Sequence, residues 1–438
     1  MVGFINIFPF ILLVFAPTAK NLFFFLLAIL TLESAGSIRF LYKHFLSKIS
    51  DKSLNTFYYV CSYANIDYSR FMNITANIAV NLIPRNLGSQ PVFLCIDDTM
   101  VLKSGKKFED VLKLFDHAAH NGSNYLNGHC FVSVMLCVPV WNQNRIRYVC
   151  VPLGYRMWLG SESKLKLAAS MVRQVMPELT EKKNVILLCD SWYVKKDLVC
   201  LVDEYENLDL VGSARADSVI YDLAPEPSGK KGRPAVHGRR LSIQDDFILS
   251  DEKIGDYFMA ARRVLTNVFG KRKVMAYVTA PKRNSDSRRL FFSTVLPEQL
   301  QIFCVWQEKS PLNQTGSDYM QFIPLLLYVY RWNIEVSYYE QKTFWSLCSY
   351  IVRSHKGIKM LINLINIAYC AMKILPYQDK VFSEYRTESV QEFRFALSVQ
   401  IWEQIFYAIF VKNIKTHIKS NTIINALKQL IQQQGCHL

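Results

Sequence analysis

No Cys-x-x-Cys pair occurs anywhere in the 438 residues, although the chain holds eleven cysteines. That removes the usual spacing signature of a structural zinc site. Several cysteines lie inside apolar runs, such as Cys95 in "VFLCIDD" and Cys189 in "VILLCDS". Free thiols buried in a reducing cytosol fit that placement best, so the expected location is cytoplasmic. Charge is missing from the start as well: nothing charged precedes Lys20. A secretory signal begins with basic residues, and only "APTA" faintly resembles a cleavage site. A spanning helix needs about 20 unbroken apolar residues. Pro9, Pro17, Lys20 and Asn21 interrupt the apolar opening. A buried helical pair is therefore the expectation there, with no membrane partner. Internal repeats and low-complexity segments are also lacking.

Acidic residues are in short supply. Lys and Arg number 51 against 36 Asp and Glu, a formal charge of +15. That excess points to a polyanionic partner, nucleic acid or an acidic membrane surface. Aromatic residues make up 13% of the chain, too many for a disordered basic tail and suited to base stacking as well as to core. The basic protein is folded, and its length allows two or three domains.

The texture of the chain suggests five segments. Residues 1–90 read as a helical N-terminal region, assigned to DNA binding. From 91 the pattern turns to strands: "PVFLCIDD", then "GHCFVSVMLCVPVW" and "RIRYVCVPLGY" as a hairpin across "NQNR". "SESKLKLAASMVRQVMPEL" has helical periodicity, "NVILLCDSW" is a strand, "YVKKDLVCLVDEY" a helix and "LDLVGSA" a strand. Hairpin strands followed by alternating helix and strand argue for an α/β layer with a mixed sheet over 91–213. Residues 214–318 read as a mostly β, basic insertion, with "PEPSGKKGRPAVHGRR" as an exposed positive loop. Helices return over 319–374 and again over 375–438.

Two sets of aspartates end short apolar strands: Asp97 and Asp98 in "FLCIDDTM", and Asp190 in "VILLCDSW". Carboxylates at the C-terminal ends of parallel strands converge on one edge of a sheet, where sites form. A lone strand-end Asp more often caps a turn or the following helix. The stretch "YVYRWNIEVSYYEQK" adds Tyr328, Arg331, Glu335 and Lys342 at spacings of three, four and seven. On an α-helix the last three fall within about 60° of Tyr328. In isolation Arg331 and Glu335 are an ordinary surface i,i+4 pair, worth about 0.3–0.5 kcal/mol. As a third carboxylate beside Asp98 and Asp190, Glu335 would complete an oxygen set suited to Mg²⁺ or Mn²⁺.

Taken jointly, "IDDT", "LLCDSWY" and Tyr-x2-Arg-x3-Glu-x6-Lys resemble the three blocks of insertion-sequence DDE transposases carrying the YREK signature. "GKKGRPAVHG" is similar to the basic loop in that family's β insertion. The likeness spans about 91–360. It implies a ribonuclease H-like mixed-sheet core interrupted by a β insertion, with helical regions at both ends. It also implies a nucleoid-associated DNA transposase that cuts element ends and joins them to target DNA; the alternative is a catalytically inactive, transposase-derived DNA-binding protein. Asp98, Asp190 and Glu335 would be catalytic and hold two Mg²⁺ or Mn²⁺ ions. Tyr328, Arg331 and Lys342 would contact DNA phosphates. The implied partners are double-stranded DNA, both terminal inverted repeats and target, and a second copy of the chain when two ends are paired. A membrane-associated protein with an unrelated acidic site is the remaining alternative.

Alternation along a strand puts Asp97 and Asp98 on opposite faces, and a strand apolar on both faces does not choose between them. The resemblance favours Asp98, the residue before Thr99. Lys230, Lys231 and Arg233, with Arg239 and Arg240, are candidate phosphate contacts or a merely solvated loop. His117, His120 and His129 form His-x2-His-x8-His without a fourth ligand, which reads as polar loop residues. Trp306 could stack on an unpaired base, although core packing suits it better.

Overall fold

In the computed structural model, residues 16–105, 107–115, 122, 124–181, 184–226, 235–296 and 317–417 are described. A nine-stranded mixed sheet runs through the middle, made of β1 (Val92–Leu102), β2 (Leu112–Phe115), β3 (Tyr125–Asn142), β4 (Arg145–Trp158), β5 (Val185–Cys189), β6 (Leu208–Ala214) and three later strands. β7 (Ile220–Tyr221) and β8 (Arg240–Leu241) form a separate two-stranded ribbon. β9 (Phe258–Val264), β10 (Val274–Ala280) and β11 (Arg289–Ser293) complete the large sheet. Its order is β2-β3-β1-β5-β6-β11-β10-β9, with β4 also on β3. β1, β5 and β6 are parallel neighbours, and every other pair in the sheet is antiparallel. This is the α/β, ribonuclease H-like architecture expected from the hairpin-then-alternation pattern. Apart from the β7–β8 ribbon, the strands of the 214–318 segment do not form a sheet of their own: β11 pairs with β6, so β9, β10 and β11 continue the core sheet edge to edge.

The β3–β4 hairpin forms where the turn residues allow it. Gln143 and Asn144 both have positive φ, 49° and 58°, the backbone of a tight turn whose twist matches the strands. β4 then bulges opposite Val134 and Met135. Asn363 and Asn366 take up the polar groups there: Asn363 Oδ1 accepts from Tyr155 N at 3.1 Å, and Asn366 Nδ2 donates to Pro152 O at 2.8 Å.

Helices cover both faces. Period-two alternation sends Phe93, Cys95 and Val101 of β1, with Ile186 and Leu188 of β5, into one hydrophobic cluster. That cluster is shared with α1 (Ala16–Thr31), α2 (Leu54–Tyr63) and several helices from the C-terminal half of the chain. Val92, Leu94 and Ile96, with Val185, Leu187 and Cys189, face the other cluster. There α3 (Tyr68–Val80) and α4 (Lys164–Val175) supply Met72, Ala76, Leu167, Met171 and Val172.

Three later helices belong to the first face: α5 (Trp332–Phe344), α6 (His355–Gln378) and α7 (Val390–His417). α6 is the one described helix long and apolar enough to cross a membrane. With 89% of its apolar window buried inside the fold, it is a core helix. α1 likewise buries Leu22, Phe25, Leu26 and Ile29 in the same cluster, so the apolar run from Ala16 onward is core.

Arg394 of α7 fixes where α5 ends. Its guanidinium donates to the carbonyls of Ile29 at 2.8 Å, Leu30 at 3.3 Å and Phe344 at 2.7 Å, and also to Leu32. It lies 4.2 Å from the centre of the Trp345 ring. One buried cation thus satisfies the last carbonyls of both α1 and α5 and complements their dipoles. Burial holds its pKa down at about 10. Arg394→Leu leaves those carbonyls unpaired and should lower stability by about 2 kcal/mol or more in urea unfolding. A midpoint unchanged from wild type would show that water replaces the arginine at no cost.

Candidate active site

β1 carries two aspartates to two different environments. Asp97 follows Phe93 and Cys95 toward the face covered by α5, and Asp98 follows Leu94 and Ile96 toward α4. Both are half-buried at the middle of β1, one and two residues past its last pair with β5, Ile96 with Cys189. Asp190 comes one residue later, continuing the row of Ile186 and Leu188. β1 does not end at its aspartates as expected but runs on to Leu102 along β3; only its parallel pairing with β5 stops, at Ile96 and Cys189, and Asp97 and Asp190 come together just beyond that point on the α5 side of the sheet.

The helix brings its charged residues to the same place. Tyr328–Arg331 is a 3-10 turn that runs into α5, so the expected single α-helix is wound more tightly at its start. Arg331 Nη1 lies 3.3 Å from Asp97 Oδ2, while Nη2 donates to Glu335 Oε1. The guanidinium, 13% exposed, is the bridge between the two carboxylates. Burial works against its charge, but Tyr328, Glu335 and Asp97 raise its pKa further. An exposed i,i+4 pair this is not: the pairing reaches across to β1. The Tyr328 hydroxyl lies 3.2 Å from both Cys189 O and Ser213 Oγ, which ties the turn to the ends of β5 and β6. The Tyr338 hydroxyl donates to the backbone carbonyl of Asp97 at 2.9 Å. Lys342 lies two turns beyond Glu335 and has no acidic partner among the described residues. Burial lowers its pKa.

Charge crowding shows in the carboxylates. Burial pushes the Asp97 pKa up to about 7, and the neighbouring Asp190 and Asp98 push the same way, against the Asp98 N–H and Arg331. Asp190 is also raised, chiefly by burial, although Arg331 and the N–H groups of Tyr193 and Trp192 hold it back. A carboxyl whose pKa is higher folded than unfolded binds its proton more tightly in the native state. Its contribution is complete below pH 3.8 and is lost as pH rises to about 7. In chelator, the native protein should therefore lose stability over that window, by at most about 1.4 kcal/mol per pH unit from this group. Asp97→Asn should flatten the loss in urea titrations at several pH values. An identical slope in the variant would mean that Asp97 ionises normally.

Asp98 is occupied elsewhere. Its Oδ2 forms an ion pair with Lys164 Nζ at 2.8 Å, its Oδ1 accepts from the Tyr193 hydroxyl at 2.8 Å, and Cys130 Sγ donates at 3.2 Å. Lys164 is the first residue of α4, whose cap is Ser163. Burial of Lys164 opposes its charge, and Asp98 more than restores it. The structure thus does not bring Asp98 to Glu335: the pair share neither a face nor a partner. Neither Lys164 nor Tyr193 stood out in the sequence, since one reads as a helix-start lysine and the other as a strand-end aromatic. The only hint was the place of Tyr193 inside "LLCDSWY", just after Asp190.

Oxygen donors alone face one another here, a set that suits a hard divalent cation. Asp97, Asp190 and Glu335 are the side chains able to hold one. Among the described residues no three acidic, His or Cys side chains stand close enough to grip an ion as they are. Arg331 supplies the positive charge between Asp97 and Glu335 instead.

Other candidates fall away from this site. His129 is buried, its ring 2.5 Å from the Tyr350 hydroxyl and 2.7 Å from Glu109 O, which makes it a hydrogen-bonded core residue. His117, His120, Trp306, Lys230, Lys231 and Arg233 lie outside the described residues. Arg239 is paired with Asp246, and Arg240 is exposed on β8.

Residues 50–253 match a family model described as DDE superfamily endonuclease, just under half of the chain. The matched stretch contains β1 with both aspartates and Asp190, and ends before α5. It supports a DDE-type transposase, and a nuclease of that kind implies DNA as substrate. No curated protein matches the chain.

Proposed function

We propose that this protein is a DNA transposase of the insertion-sequence DDE type, cutting element ends and joining them to target DNA by Mg²⁺- or Mn²⁺-dependent phosphoryl transfer. One observation carries the reading: Asp97, just past the last β1–β5 pair, and Asp190, just past the end of β5, meet the Arg331–Glu335 pair at the start of α5 on one face. Asp97 takes the place first expected of Asp98, because it alone of the two shares that face. A divalent cation held by Asp97, Asp190 and Glu335 would supply positive charge to the attacking and leaving oxygens. Arg331 would then leave the carboxylates for a DNA phosphate, with Tyr328 and Lys342 further along the strand.

Water attacks the scissile phosphorus, the P–O3′ bond breaks, and the 3′-hydroxyl is freed. That hydroxyl attacks a target phosphorus in line and displaces the target's own 3′-oxygen, with no covalent enzyme intermediate. The basic loop with Lys230, Lys231 and Arg233 would add phosphate contacts, and two copies of the chain would hold paired ends. The excess of 15 positive charges suits that load of polyanion. The test is nicking of supercoiled plasmid by the purified chain in Mg²⁺, Mn²⁺ and chelator. Nicking confined to the metal-containing reactions supports the reading. A folded protein that binds DNA and cuts in neither metal would be a transposase-derived binding protein instead.

A further inference from the structure

β4 pairs with β3 alone and so lies two strands, about 10 Å, from β1 and its aspartates. Beside residues 154–157 of this strand, α3, α4 and the start of α6 enclose a cavity of about 320 Å³. That is small-molecule size. Its walls are of two kinds. Met72, Met157, Leu167 and Met171 form an apolar side, adaptable because thioethers repack around irregular shapes. Arg156 and Lys359 form a cationic side.

Neither cation is neutralised by the fold. Arg156 stands in the cross-strand row of Asp98 and faces α4, where Nη1 donates to Ser170 Oγ at 2.8 Å and Nη2 to Gln174 Oε1. Both acceptors are uncharged. Lys359, in the second turn of α6, has its Nζ 5.0 Å from the centre of the Tyr68 ring and no acidic partner among the described residues. Burial lowers the Lys359 pKa, and the charge of Arg156 pushes the same way. The acids nearby are engaged or remote. Asp67 caps α3 by accepting from Arg70 N at 3.0 Å, and Asp110 Oδ2 lies 2.6 Å from His355 Nδ1. Glu162 favours the charge of Arg156, against the larger effect of burial. The strand backbone does not use the cations either, since Asn363 accepts from Tyr155 N and donates to Tyr155 O at 3.3 Å.

Two like charges in a partly desolvated space cost stability until an anion joins them. A guanidinium beside an ammonium suits a phosphate monoester, which carries nearly two charges at neutral pH. The DNA backbone offers one charge per phosphate and no apolar body for the methionine wall. We propose that this cavity, which takes no part in the cleavage chemistry above, binds a small phosphomonoester with an apolar or aromatic body, its phosphate between Arg156 and Lys359.

Calorimetry on the full chain with phenyl phosphate, inorganic phosphate and phenol tests this. Phenyl phosphate should bind about ten-fold more tightly than inorganic phosphate, and phenol should not bind detectably. Lys359→Gln and Arg156→Gln should each weaken phenyl phosphate about ten-fold or more. The Lys359 ammonium makes no hydrogen bond among the described residues, so Lys359→Gln should keep the wild-type unfolding midpoint without ligand and nick plasmid as wild type does. Undiminished binding in a folded Lys359→Gln variant, equal binding of phenol, or no binding of phenyl phosphate at millimolar concentration overturns the proposal. Displacement of phenyl phosphate by duplex DNA, with an equal loss of DNA affinity in Lys359→Gln, also overturns it and makes the pair a backbone contact.

Discussion

Asp97→Asn should reduce metal-dependent DNA cleavage by about a thousandfold or more while the protein remains folded. The substitution keeps the shape of the side chain and removes the charge that a cation needs. Asp98→Asn, made beside it, should behave differently. Its loss frees Lys164 from its partner in a site where the two side chains are 22% and 14% exposed. A charge left unpaired there costs about 1–3 kcal/mol, so the main effect falls on the unfolding midpoint. Cleavage per folded molecule should fall less for Asp98→Asn than for Asp97→Asn, with the residual loss traceable to Tyr193, which anchors the Trp192 loop. Plasmid nicking and urea unfolding measured on both variants decide this. A stable, inactive Asp98 variant next to an active Asp97 variant would return the first carboxylate to Asp98.

Glu335→Gln should abolish cleavage to a similar degree and leave DNA binding within a few-fold of wild type. Its partner variant, Arg331→Ala, should lose more than cleavage. Without the guanidinium, Asp97 and Glu335 face each other with no cation between them in metal-free protein. Stability in chelator near neutral pH should fall, and added Mn²⁺ should restore more of it than it adds to wild type. Thermal unfolding of both proteins with and without Mn²⁺ gives the comparison. If Glu335→Gln cuts DNA at a near-normal rate, the Arg331–Glu335 pair is only a structural tie between α5 and β1.

Local signals accounted for much of the fold, and non-local ones for the remainder. The turn residues Gln143 and Asn144 announced the β3–β4 hairpin, and helical periodicity announced α4. The runs before Asp97 and Asp190 identified β1 and β5, because short apolar segments ending in aspartate have few other readings. Periodicity stopped short at "IDDT". β1 is apolar on both faces up to Ile96, so only the helix packed on each face distinguishes Asp97 from Asp98. α4 begins at Lys164 and α5 only at Trp332, both beyond the reach of any local pattern. Joining β11 to β6 is a similar case: nothing near "RLFFS" says whether it founds a new sheet or extends an old one. Arg394 gave a faint sign, a cation inside the apolar "FRFALSV", whose explanation lies in the carbonyls at Ile29 and Phe344. The spacing of Tyr328, Arg331 and Glu335 was legible from the start. Its meaning came only with Asp97 as a partner.

Diffraction from Mn²⁺-soaked crystals of the protein, read by anomalous scattering, bears most directly on the account. The account predicts a peak on the α5 side of the sheet, bounded by the carboxylates of Asp97, Asp190 and Glu335, with Arg331 turned away from Glu335. A peak on the opposite side of β1, among Asp98, Lys164 and Tyr193, or no peak near Asp97 at saturating Mn²⁺, would contradict it.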